Sequence, residues 1–113
     1  MLAKPSRLTK TKDFSKTFKQ GKSIYGKLLG LKALANQQNG NRYGIIISAK
    51  VSKKATIRNK LKRQLRAIIK ANEKKLVLGY DVALIVSPAA VTSSFLELKI
   101  ELEKAFIKLK LLK

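Results

Sequence analysis

The side chains with chemistry to offer are concentrated in Lys53-Lys54-Ala55-Thr56-Ile57-Arg58-Asn59-Lys60-Leu61-Lys62-Arg63-Gln64-Leu65-Arg66, and that chemistry is anion binding. Guanidinium and ammonium groups donate charge-assisted hydrogen bonds to phosphate oxygens, and arginine can fork onto two at once. Asn59 adds a polar contact, and no acid interrupts the run. Other chemistries are missing. The chain has no histidine and no cysteine, which excludes histidine acid–base catalysis, thiolate chemistry, disulfides and the usual zinc ligand sets. No P-loop, glycine-rich phosphate cradle or nucleophile elbow is present. The acids are scattered apart from Glu97, Glu101 and Glu103, which the spacing places on the solvent face of a helix. Asp13 and Asp81 are expected at cap or turn positions.

The basic run needs an element that presents it. At about 100° per residue, Ile57, Leu61, Leu65 and Ile68 form one apolar stripe, which predicts an amphipathic helix running to about Asn72 with Ser52 as its N-cap. Arg58, Asn59, Lys60, Lys62, Arg63, Arg66 and Lys70 are assigned to the opposite side. Arg58, Lys62 and Arg66 follow one another at i, i+4 and repel, so the face is built at a cost to the isolated helix. An anionic partner would relieve that cost, whereas a merely solvated face usually mixes both signs of charge.

The totals agree. The 113 residues carry 26 basic and 6 acidic side chains, a formal charge of +20, and 45% are hydrophobic. That composition predicts one folded domain over residues 1–113, with nucleic acid the leading partner and an anionic membrane surface the second. Residues 1–75 hold 21 of the basic side chains and 2 of the acids. No apolar run has the roughly 18 residues of a membrane span, and the N-terminal residues lack a signal peptide's apolar core, so a cytoplasmic location is expected.

The remaining elements are read from period and punctuation. Residues 1–8 read as an extended basic arm, followed by a helix near 11–20 that Thr9 or Thr11 can cap. Phe14 and Phe18 share a face of that helix, and Gly21 ends it. A strand over 23–35, a hairpin turn at Asn39-Gly40 and a strand over 42–49 come next. Three consecutive isoleucines, Ile45 to Ile47, predict that this strand is covered on both faces. Val82 to Val86 reads as a buried central strand. A last, nearly neutral helix begins near Thr92-Ser93-Ser94 and buries Phe95, Leu98, Leu102, Ala105, Phe106 and Leu109. The order is helix, strand, strand, helix, strand, helix: an α+β, two-layer α/β sandwich. Phe14 and Phe18 read first as helix-to-sheet packing and second as base-stacking aromatics, while Tyr25 and Tyr43 are weaker stacking candidates that read first as strand packing.

Arg58-Asn59-Lys60-Leu61-Lys62-Arg63-Gln64-Leu65-Arg66 resembles the signature of the bacterial ribonuclease P protein subunit: Arg-Asn-Arg, an aliphatic residue, Lys-Arg, two residues, Arg. Arg7-Leu8, Asp13-Phe14, Phe18 and Gly21 match that family's N-terminal pattern. Arg42-Tyr43-Gly44-Ile45 resembles the strand before its basic helix, and Gly79-Tyr80-Asp81 through Pro88 the strand after it. There are departures. Lys60 replaces an arginine, and Ser48-Ala49-Lys50 lacks one lysine. Ser87 stands where a basic residue is common, Ala67 where an acid is common, and Lys32 where an aromatic lines the family's substrate cleft.

The resemblance implies a small sheet with flanking helices, like the second domain of a small-subunit ribosomal protein, and a left-handed βαβ crossover where the general rule is right-handed. It implies an endoribonuclease that is a ribonucleoprotein, in which an RNA subunit holds catalytic Mg2+ and removes the 5′ leader of precursor tRNA by in-line attack of water. The implied partners are that RNA and precursor tRNA, with no membrane and no obligate protein partner. Carried onto this chain, it assigns Lys53, Lys54, Arg58, Asn59, Lys60 and Arg63 to the catalytic RNA. It assigns Phe14, Phe18, Lys62 and Arg66 to the cleft holding the leader. No catalytic residue and no metal ligand is expected in the protein. Two other readings share the charge: a structural RNA-binding protein of the ribosome, and a basic membrane-surface module. The first leaves the matched spacing from Arg7 to Pro88 unexplained; the second wants anchors where the stripe reads as core.

Overall fold

The computed structural model describes residues 11–38 and 40–113, and side chains from residue 16 onward. The basic arm, the capping role of Thr9 or Thr11 and the side chains of Asp13 and Phe14 therefore lie outside the described residues. The elements are α1 (Thr11–Gln20), β1 (Lys22–Tyr25), β2 (Leu29–Ala35), β3 (Arg42–Ile46), α2 (Ala55–Ala71), β4 (Tyr80–Val86) and α3 (Phe95–Lys108). Short 3-10 turns, Glu73–Lys75 and Pro88–Thr92, flank β4.

The expected strand over 23–35 is two strands. The chain bends at Lys27 and Leu28 between them, and β2 returns antiparallel along β1 with Tyr25 opposite Gly30 and Ser23 opposite Lys32. The bend is held from outside. Glu101 of α3 accepts the backbone N–H of both Leu28 and Leu29 at 2.8 Å, filling donors that the turn leaves open. The solvent-face reading is thus corrected for Glu101 and Glu103, which are half-buried, and holds for Glu97, which is exposed. Glu103 accepts from Asn72 Nδ2 at 2.9 Å, and Glu97 completes a capping box with Ser94. Those Ser94 hydrogen bonds hold the Glu97 carboxyl below its usual range. The cap is at full strength above the ordinary carboxylate range and fades as pH falls through the lowered value. Replacing Glu101 by alanine should destabilise the fold by about 1–3 kcal/mol, the cost of orphaning part-buried donors, as read from a urea midpoint.

The sheet order is β1-β2-β4-β3, with β2 antiparallel and β3 parallel to β4. This overturns the hairpin expected at Asn39-Gly40, because β4 lies between the two strands that the turn was to join. The connecting loop is pinned to β4 instead. Asn36 N–H donates to the Gly79 carbonyl, and its Nδ2 donates to Asp81 Oδ1 at 2.9 Å. Asn41 donates to the Val77 carbonyl and accepts from Tyr80 N–H, both at 2.8 Å. Asp81, expected at a turn, is buried in β4, where Arg42 of β3 grips it through Nε at 2.8 Å and Nη2 at 2.6 Å. Because β3 is an edge strand, Ile45 and Ile46 are half-buried rather than covered on both sides, and Ile47 follows the strand's end.

Alternation assigns the two faces. Leu29, Leu31 and Ala33 of β2 align with Val86, Leu84 and Val82 of β4, and all six are buried. Leu61, Leu65, Ile68 and Ile69 of α2 and Leu98, Leu102 and Phe106 of α3 complete that core. Phe95, expected in it, is 43% exposed at the helix start. Tyr43 is buried, as strand packing predicts, and burial pushes its phenol up. The other face carries Gly30, Lys32 and Leu34 of β2 and Ala83 and Ile85 of β4, with α1 laid across part of it.

Candidate nucleic-acid interface

Helix α2 begins without a side-chain cap. Its N-cap is Lys54; Ser52, expected there, sits two residues early and accepts the Lys54 N–H at 3.2 Å. The first turn contains no acid, so the positive end of the helix dipole adds to exposed Lys53 and Lys54. Arg58 lies seven residues, nearly two turns, from buried Leu65. It therefore stands close to the apolar stripe, not opposite it. Its Nη1 donates to the Ser52 carbonyl at 2.7 Å, tying the entry loop to the helix. Lys62 and Arg66 continue this half-buried row, whereas Asn59, Lys60, Arg63 and Lys70 are exposed. Arg63, Arg66, Ala67 and Lys70 line a shallow concavity. The geometry thus groups Arg58 with Lys62 and Arg66, and groups Lys60 with Arg63.

The open face of the sheet is a second candidate surface. Lys32 rises from β2 with its Nζ 5.0 Å from the Phe18 ring centroid and 6.0 Å from that of Tyr25, and donates to the Phe18 carbonyl at 3.3 Å. Both distances suit cation–π attraction. Phe18 is half-buried; Tyr25 is exposed and packs on the sheet by one side of its ring only, against Gly30. The visible signal was Gly30, a strand glycine directly opposite it. Phe18 stands on the α1 face of the sheet, and Lys62 and Arg66 belong to a helix packed on the other, so the structure does not gather those three on one face. The side chain of Phe14 lies outside the described residues.

Among the described residues, no three His, Cys, Asp or Glu side chains gather where they could hold a metal ion. Asp81, Glu97, Glu101 and Glu103 are engaged in the hydrogen bonds given above, so these residues do not fit a resident Mg2+. No helix among the described residues is long and apolar enough to cross a membrane.

A family model described as Ribonuclease P matches residues 2–110. A Synechocystis protein named ribonuclease P protein component is 40% identical over 106 residues, covering 93% of this chain and 86% of that one. One of that name from Alkaliphilus oremlandii is 37% identical over 94 residues, covering 83% and 82%. Among solved structures, the Staphylococcus aureus RNase P protein superposes with a TM-score of 0.88 at 27% identity, covering 96% of this chain and 98% of that one. The Thermotoga maritima RNase P protein gives 0.79 at 30%, covering 87% and 92%. Family model, relatives and folds agree over most of the chain, which belongs to the ribonuclease P protein component family.

Proposed function

We propose that this chain binds the catalytic RNA of ribonuclease P through α2 and the 5′ leader of precursor tRNA through the open face of the sheet. In that role it assists Mg2+-dependent endonucleolytic removal of the leader, forming the mature tRNA 5′ end. The observation that carries the reading is the pairing of two surfaces: a helix face of unrelieved positive charge, and a sheet face offering aromatic rings beside a lysine. Ring faces accept any base by stacking, and ammonium or guanidinium groups follow the phosphates, which suits a single strand of variable sequence. With no usable general base or metal site among the described residues, the catalytic groups and Mg2+ are assigned to the RNA. Lys53, Lys54, Asn59, Lys60 and Arg63 are the assembly contacts. Arg58, Lys62 and Arg66 form the row that borders the core, and Phe18, with Phe14 on the same helix, serves the leader.

Reconstitution tests this. At low Mg2+, adding the protein to its cognate catalytic RNA should accelerate leader removal and tighten precursor binding; no gain in either would overturn the proposal. Phe18→Ala should weaken binding of long-leader precursors by about 5- to 100-fold and leave short-leader precursors nearly unchanged, as read from paired Kd measurements.

A further inference from the structure

Tyr25 is 64% exposed, yet its ring does not hang free. It lies against the backbone of its cross-strand partner Gly30, where an added Cβ would stand 2.5 Å from Cδ1 and 2.8 Å from Cε1. Any other residue at position 30 would push the ring away, so the glycine makes the seat. The Lys32 ammonium, two residues along β2 on the same face, is shared between this ring and that of Phe18. One side of the tyrosine is therefore used by the sheet, and the other is presented to solvent beside a positive charge.

We propose that Tyr25 is a stacking platform for one base of the single-stranded leader, with Gly30 and Lys32 as its positioning residues; this rests on the leader reading above. A ring held in place beforehand loses little freedom on binding, which is what makes stacking on it effective. Lys32 lies where a phosphate between a base on Phe18 and a base on Tyr25 would need a counter-charge. The aromatic surface of this cleft is thus supplied from β1, across the pairing from the lysine that β2 carries.

The test uses the reconstituted holoenzyme and precursor tRNAs with a leader of several nucleotides or of one. Tyr25→Ala should lose about 5- to 100-fold of the long-leader preference, and Tyr25→Phe, which keeps the ring, should stay within about twofold of the unaltered protein. An abasic scan of the leader should find one nucleotide whose base matters to the unaltered protein and no longer matters to Tyr25→Ala. If Tyr25→Ala keeps the preference while Phe18→Ala loses it, the platform is overturned and the leader reading stands. Equal weakening on both leader lengths would overturn it as well, since that marks a defect in assembly. If the unaltered protein ignores leader length, both the platform and the leader reading fall.

Discussion

Replacing Lys60, Arg63 and Lys70 together by glutamine should lower affinity for the catalytic RNA on the order of 100-fold near 0.15 M salt. It should also flatten the plot of log affinity against log salt by about 2 to 3. The three project from the exposed side of α2 and make no hydrogen bond given above that the fold needs. The loss should therefore appear in binding, with the urea midpoint unchanged or raised as like charges are removed. Arg58→Ala has a different expected signature, because its guanidinium also holds the Ser52 carbonyl at the mouth of the helix. A triple variant with an unaltered salt slope would show that this face does not meet phosphates.

The largest effect on folding is expected at Asp81. The side chain is 7% exposed and takes two hydrogen bonds from Arg42 and a third from Asn36. Asp81→Ala would take away the carboxylate that the part-buried Arg42 grips and release the loop that Asn36 anchors. Removing one partner of a buried pair costs about 3–5 kcal/mol. A domain with a total margin of about 5–15 kcal/mol, already opposed by a charge of +20, would be close to unfolded. Urea titration should show the midpoint falling sharply, and added polyanion, which binds the folded state, should restore part of it. Replacing both partners by apolar residues should cost much less than Asp81→Ala, which separates the cost to the remaining partner from mere loss of attraction.

Local period was enough for α1, α2, α3 and β4, because each buries one stripe or run and the residues that do so are consecutive or regularly spaced. Pairing was not legible. Asn39-Gly40 carries the local signature of a hairpin, but the loop is claimed by Asn36 and Asn41, whose partners near the start of β4 are some 40 residues away in sequence. Glu101 misled for the same reason. On a helical wheel it belongs with solvent, and its two acceptor roles depend on a turn at Leu28–Leu29 brought up from far along the chain. For the candidate site, the motif named the right helix, but a like-charged row looks alike whether it lies opposite the core or along its border. The seven-residue spacing from Arg58 to Leu65 is present in the sequence and sets Arg58 beside the stripe, which the charge pattern alone hides. Tyr25 ranks low from sequence because exposure of a strand residue depends on what covers the sheet there.

The insertion of β4 between β2 and β3 also orders the molecule's birth. During synthesis the chain emerges from its amino end; β2 has only β1 beside it, and β3 has no neighbour at all, until residues 80–86 have appeared. By then 21 of the 26 positive side chains are already out, on a segment whose only paired strands are β1 and β2. Completing the sheet waits for contacts of long sequence separation, which slows folding. The nearly neutral final third of the chain is thus the part that turns a nascent polycation into a surface with a shape.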